Sequence, residues 1–367
     1  MGMGRTIYSL LSLVSRRHAP VPITDDSIEA SRLRLERLHP DGGGSCLRRN
    51  VIMQHPTYDV LVIIPAYNVE KYVVGCVDSV VHQQTSFSFQ VKVIDDGSTD
   101  STWSLLQRYS ALPNVCLIRK ENGGLGSARN EGLREVDARY VMFVDSDDEL
   151  PSNALQRMME AATVHPDVDI VEGQYEYFAG ERILHRSHSV ERITSDWTVL
   201  QGYNCMKFFK SRLFQDIGFP EGYWFEDTVG QIMLYGCARE VMIIPDVVYR
   251  YRCNIEGICH TAESSPKILD TVWVTLRLLS DRLSCNMPFT QSDYEVFLYN
   301  VANDVVRLQW LGRKVVDDVI VLYRGCRRRY FPAWRAHVEH NCEVERLLDA
   351  GQNTLLSFYC RYVYFTI

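Results

Sequence analysis

Four runs of β-branched and aliphatic residues recur in the first part of the chain, and most stop at acidic or small polar residues. They cover 59–64, 89–94, 115–119 and 140–144. After Asp59 the first run is apolar at every position rather than at alternate ones, which predicts a strand buried on both faces of a parallel sheet. Between the runs the spacing turns helical. Val73, Val77, Val80 and Val81 mark a helix over 70–82. Thr99, Asp100 and Ser101 can cap a second helix reaching about Tyr109, and a third follows Gly123 and Gly124 over 126–136. This β-α-β-α-β-α-β order predicts an open α/β sheet with helices on both faces.

Beyond it, 169–177 reads as a further strand, 201–217 and 227–237 as helices, and 241–245 and 247–252 as strands. From Pro266 onward the pattern is helical, over 268–283, 292–311 and 315–324. Residues 1–57 read as a mobile or loosely docked extension with one helical candidate, 26–38. The expected division is therefore an extension (1–57), an α/β domain (58–263) and a C-terminal helical region (264–367).

Composition narrows the function classes. The chain has 367 residues, 46% apolar and 23% charged, enough to bury a sizeable core. A formal net charge of −7 argues against a nucleic-acid binder. Eleven cysteines without a C-x-x-C pair fit neither a structural zinc site nor a small disulfide scaffold, and reduced thiols of a cytosolic protein are the expectation. The apolar run 7–14, flanked by Arg5, Arg16 and Arg17, is too short to span a bilayer. A soluble cytoplasmic protein follows as the default.

In an open parallel sheet, ligands bind beyond the carboxyl ends of the strands. Three runs deliver polar residues there: Pro65-Ala66-Tyr67-Asn68, Asp95-Asp96-Gly97-Ser98 and Asp145-Ser146-Asp147-Asp148. Two carboxylates one residue apart repel unless a cation or donor lies between them, and an oxygen-rich site suits Mg²⁺ or Mn²⁺. The plainer reading is a turn capping the next helix. The glycine-rich 121–132 fits neither a P-loop nor a dinucleotide fingerprint. Arg129 within it reads either as a surface ion pair or as a contact to an anionic ligand. Glu226 and Asp227, after Trp224 and Phe225, are either a general base in partly apolar company or a helix cap.

Taken in order, these pieces resemble family 2 glycosyltransferases, especially those that build bacterial polysaccharides. The matching segments are IIPAYN (63–68), VIDDGSTD (93–100), ENGGLGSARNEGL (121–133), FVDSDDEL (143–150), Lys207, GFPEGYWFEDT (218–228) and VVYRYR (247–252). The resemblance implies the GT-A fold, a Rossmann-like open mixed sheet flanked by helices, and a nucleoside-diphosphate-sugar donor, most often a UDP sugar. By the same resemblance Pro65, Ala66, Tyr67, Asn68, Asp95 and Asp96 hold the nucleoside. Gly123, Arg129, Ser146 and Lys207 belong to the donor site. Asp145 faces ribose and metal, and Asp147 ligates a Mn²⁺ or Mg²⁺ ion. Asp227 is the catalytic base with Glu226 beside it. Arg252 and His260 close over the diphosphate, with His260 a further candidate metal ligand. The implied reaction is inverting transfer to a hydroxyl of a glycan or lipid-linked saccharide.

Two departures are visible. Gln309-Trp310 lacks the Q-x-x-R-W motif of processive synthases, so addition of single sugars is expected. Gly257 stands where many relatives have Ser. The arginine- and aromatic-rich tail, 324–335 and then 358–365, reads either as a peripheral contact with the inner face of an anionic membrane or as a packing face. A homodimer stays open as an alternative. The competing functions are nucleotidyl transfer and a non-catalytic nucleotide-sugar-binding subunit.

Overall fold

The computed structural model describes residues 21–254, 257, 261–262 and 265–366, with Arg5, Ile7, Tyr8 and Ser12. The chain divides into two compact units, one of residues 43–257 and one of residues 1–42 with 258–367. The first is the α/β unit. In chain order its strands are β1 (Val51–Ile52), β2 (Tyr58–Ala66), β3 (Phe89–Asp95), β4 (Val115–Arg119), β5 (Glu135–Val136), β6 (Ala138–Phe143), β7 (Ile170–Ala179), β8 (Arg182–Arg186), β9 (Arg192–Thr194), β10 (Lys207–Lys210) and β11 (Val241–Arg252).

The main sheet runs β4-β3-β2-β6-β10-β7-β11-β9, with β8 added to β7. Strands β4, β3, β2 and β6 are parallel. Strand β10 lies antiparallel between β6 and β7, so the sheet is mixed. Strand β2 is buried on both faces, as its unbroken apolar run predicts. Val60, Val62 and Ile64 pack with Val73, Val77 and Val80 of the helix Val73–Val81 and with Met158 of the helix Ala154–Val164. On the other face Ile63 meets the helix Leu125–Leu133 at Gly132, where a Cβ would lie 2.6 Å from Ile63 Cγ2. Because β2, β3 and β6 are in parallel register, Ala66, Asp95 and the residues after Phe143 emerge at one rim.

Two expected elements differ. The stretch 201–217 is not a helix. Its core is β10, with Phe208 and Phe209 fully buried. The expected strands 241–245 and 247–252 form one strand with register shifts between Ile243 and Tyr249.

The second unit is helical: Asp25–Leu38, Asp270–Ser284, Gln291–Arg307, Arg313–Tyr330, Glu339–Ala350 and Asn353–Tyr362. Residues 24–38 are not loosely docked. Thr24 caps the first helix in a reciprocal capping box, Ser31 and Leu35 are buried, and Ser31 Oγ donates to Asp318 Oδ1 at 2.9 Å. The boundary thus falls at residue 42 rather than 57. The basic-aromatic stretch is divided: Arg324, Arg327 and Phe331 are buried, whereas Arg328, Arg329 and Arg335 are exposed. Arg327 pairs with Glu345 at 3.0 Å, and Phe331 packs on Phe289 and Phe297 with ring centroids 4.8 and 5.0 Å apart. Among the described residues no helix is long and apolar enough to cross a membrane, and no disulfide joins two of the ten described cysteines.

Candidate active site

The loops after β2 and β3 are laced together at the rim. Ala66 O accepts from Asp96 N at 2.8 Å, Asn68 N donates to Ser98 Oγ, and Asn68 Oδ1 accepts from Thr99 N. Asn68 takes a left-handed φ of 50°, which asparagine tolerates better than most residues. Pro65 and Ala66 remain in strand β2, and Tyr67 and Asn68 are the exposed residues of the four. Asp95 is buried at the end of β3, 3.0 Å from Arg119 Nε. Asp96 accepts from Lys120 Nζ at 2.7 Å, Gly123 N at 3.0 Å and Gly124 N at 2.7 Å. It therefore shapes the glycine loop, and the Gly123 N–H points at this carboxylate.

Arg129 is the centre of the site. Its side chain is 1% exposed, so it is not a surface ion pair. Nη1 donates to Glu226 Oε1 and to Asp227 Oδ1, both at 2.6 Å, and Nη2 donates to Asp145 Oδ1 at 2.8 Å. Phe219 and Phe143 lie 5.1 and 5.7 Å from the guanidinium. Carboxylates from two distant segments thus meet on one buried cation. Burial acts against its charge, but Asp227, Asp145 and Glu226 hold it firmly protonated.

The segment bearing Glu226 and Asp227 is docked by the same helix. Asn130 Nδ2 donates to Phe219 O and Glu221 Oε1, and Asn130 Oδ1 accepts from Phe219 N, each at 2.8 Å. A Cβ on Gly126 would stand 2.6 Å from Pro220 O, so glycine permits the close approach. The glycine-rich motif is thus a docking surface for the acidic segment. Just before it, Phe225 adopts φ 62°, a strained conformation for an aromatic residue.

The two acids differ in setting. Glu226 is buried, and burial with Asp227 and Asp145 nearby pushes its carboxyl up to about 8 against the pull of Arg129. Asp227 keeps 32% of its side chain exposed. Its Oδ1 also accepts from Asn204 Nδ2 at 3.0 Å, while Oδ2 has no protein hydrogen bond among the described residues.

Asp145 is raised by burial first, with Asp227 and Asp147 adding to it and Arg129 opposing. Ser146 is buried between Asp145 and Asp147. Asp147 Oδ2 accepts from Asn254 Nδ2 at 2.7 Å. Asp145 Oδ2 and Asp147 Oδ1 have no protein hydrogen bond among the described residues. Hard carboxylate oxygens of this kind suit a Mg²⁺ or Mn²⁺ ion that keeps positions for water and phosphate. No group of three or more acidic, histidine or cysteine ligands occurs among the described residues. His260 lies outside them.

Two expected donor contacts are engaged within the protein. Lys207 is fully buried on β10, 2.9 Å from Glu172 Oε2 and 5.6 Å from the Tyr235 ring centroid, so it does not reach the rim. Arg252 donates from Nε to the Asp147 carbonyl at 2.6 Å, pairs with Glu149, and stacks on Phe178 and Tyr72. Sequence reasoning missed Asn130, Asn204, Tyr249 and Asn254. Asn130 follows Arg129 directly and Asn254 sits two residues past Arg252, and that adjacency was the available signal.

Comparison with known proteins agrees with this architecture. Residues 61–226 match the family described as Glycosyl transferase family 2. The chain is 29% identical over 212 residues to glycosyltransferase GlyA of Streptococcus pneumoniae serotype 4, covering 53% of this chain and 30% of that protein. It is 27% identical over 245 residues to GlyG of the same organism, covering 60% and 80%. With the poly(ribitol-phosphate) beta-N-acetylglucosaminyltransferase TarS of Staphylococcus aureus it shares 28% identity over 207 residues, 53% of this chain and 36% of TarS. The chain thus spans about a third of GlyA and TarS and most of GlyG. The solved structure of S. aureus TarS 1-349 in complex with UDP-GlcNAc superposes with a TM-score of 0.52 at 20% identity, covering 82% of this chain and 91% of that one. That likeness concerns the fold.

Proposed function

Given that residues 61–226 form a family 2 glycosyltransferase domain, we propose that the chain transfers one sugar from a nucleoside diphosphate donor to a hydroxyl of a glycan or lipid-linked saccharide, with inversion, in cell-surface polysaccharide synthesis. A UDP sugar is the favoured donor, in line with the UDP-GlcNAc held by the TarS fragment. The observation that carries the reading is Asp227. Arg129 and Asn204 fix its Oδ1, its side chain is partly exposed, and its Oδ2 has no protein hydrogen bond among the described residues.

In this reading Asp227 Oδ2 takes the proton of the acceptor hydroxyl as that oxygen bonds to the anomeric carbon. The bond from that carbon to the diphosphate breaks, and nucleoside diphosphate leaves with the electron pair. A single displacement inverts the centre and needs no covalent nucleophile. Asp147 and Asp145 are the residues that would hold a Mn²⁺ or Mg²⁺ ion, which supplies charge stabilisation to the departing diphosphate. Tyr67 and the buried Asp95 line the nucleoside side.

The test is a panel of UDP sugars and saccharide acceptors with Mn²⁺ present. Wild type should release UDP, whereas pyrophosphate release would favour nucleotidyl transfer. Asp227→Asn should lower turnover by about 10²–10⁴-fold while retaining UDP binding. Wild-type turnover in that variant would overturn the assignment of the base.

A further inference from the structure

The end of β11 frames the loop that follows β6. Glu149 and Arg250 exchange main-chain hydrogen bonds in both directions, at 3.1 and 2.9 Å. Tyr249 Oη donates to Asp148 Oδ2 at 2.8 Å and accepts from Asp145 N at 3.1 Å. Arg252 N donates to Asp148 Oδ1 at 2.7 Å, and its Nε holds the Asp147 carbonyl. The guanidinium is wedged beside Phe178 and Tyr72, 4.5 and 5.2 Å from the ring centroids. These contacts fix the path of the main chain. They leave the Asp147 side chain free to rotate.

One contact removes that freedom. Asn254 Nδ2 donates to Asp147 Oδ2 at 2.7 Å, and among the described residues it is the hydrogen bond that reaches this carboxylate. We propose that Asn254 is a positioning residue for Asp147, holding one carboxylate oxygen so that the other is presented to a divalent cation. The inference rests on the proposed role of Asp147 as a ligand. The residue type suits the task. An amide donates a hydrogen bond without bringing charge, so it orients the carboxylate and leaves its negative charge for the ion. A lysine or arginine at this position would neutralise Asp147 and compete with the metal.

The test uses the full chain, with Asn254→Ala and the similarly sized Asn254→Leu. Mn²⁺ binding in the presence of UDP is read by electron paramagnetic resonance and by calorimetry, so the readout does not depend on turnover. Loss of an orienting partner should weaken Mn²⁺ binding by about 10–100-fold. UDP affinity without metal and the melting temperature should stay near wild type, and excess Mn²⁺ should restore much of the turnover. A folded variant with wild-type Mn²⁺ affinity overturns the role of Asn254 alone. If wild type itself binds no Mn²⁺ with UDP, the ligand role of Asp147 falls as well, while the Asp227→Asn result stands separately.

Discussion

Arg129→Met removes the guanidinium and keeps most of its volume. The wild-type side chain is 1% exposed and holds Glu226, Asp227 and Asp145 at 2.6–2.8 Å. Without it the three carboxylates face one another with no cation among them. Removing one partner of a buried ion pair costs about 3–5 kcal/mol, because the remaining charge must be neutralised or solvated. For a unit of roughly 200 residues each kcal/mol moves Tm by about 2–4 °C, so Tm should fall by about 6–20 °C. The pH dependence separates this cause from simple loss of packing. With the guanidinium gone, the folded-state pKa values of Glu226 and Asp145, already raised by burial, rise further above their unfolded values. A group raised on folding stabilises below its unfolded pKa and loses that contribution as pH rises through its folded pKa. The deficit of the variant should therefore be small near pH 5 and large near pH 8. Urea unfolding across that range measures it. A variant that loses less than 2 °C at pH 8, or whose deficit does not change with pH, refutes the description of Arg129 as the neutralising centre.

The remaining predictions concern single carboxyls. Glu226 is pushed up to about 8 from an ordinary 4.5, mainly by burial, so wild-type stability should decline as pH rises from about 4.5 to 8. Glu226→Gln keeps an acceptor for Arg129 and should flatten that decline, as read from urea midpoints. Asp169 is buried, and although burial opposes it, hydrogen bonds from Arg239 with Arg212 and Lys210 nearby hold its carboxyl below the usual range. Asp169→Asn should cost about 1–3 kcal/mol at neutral pH. That difference should start to shrink as pH falls below about 4, the unfolded value, and vanish as pH passes the lower folded-state pKa, where the wild-type carboxylate becomes protonated.

Much of the fold and the rim of the site could be read from the residues, because one pattern encodes both. An apolar run that stops at acids marks a buried strand and the place where its carboxyl end opens to solvent. Strands β2, β3, β4 and β6 lie within a few residues of their expected bounds for that reason. Strand β10 lacked such a signal. Its four residues are too few to show a period, and its antiparallel insertion between β6 and β7 depends on pairing that no local pattern carries. The helix Ala154–Val164 did have one, in Leu155, Met158, Met159 and Ala162, and went unread.

Three cations assigned to the donor site share a physical setting. A basic residue next to a motif looks available for phosphate, but burial is decided by the partner segment, which may lie a hundred residues away. Arg129 sits on a helix whose Gly126 and Gly132 admit close approach on two sides, to Pro220 and to Ile63, and that packing encloses the arginine. Once inside, it must meet carboxylates, and it meets three. Lys207 meets Glu172 and Arg252 meets Glu149 by the same rule that buried charges are paired. The three cations that the resemblance assigns to the donor site are thus already matched to acids of the protein. Under the proposed function this changes where the counter-charge for the leaving group comes from. It moves from basic side chains to the open oxygens of Asp145 and Asp147, and so to an ion that arrives with the donor. Turnover should then respond far more steeply to chelation than to Lys207→Met, whose effect belongs to the stability of β10.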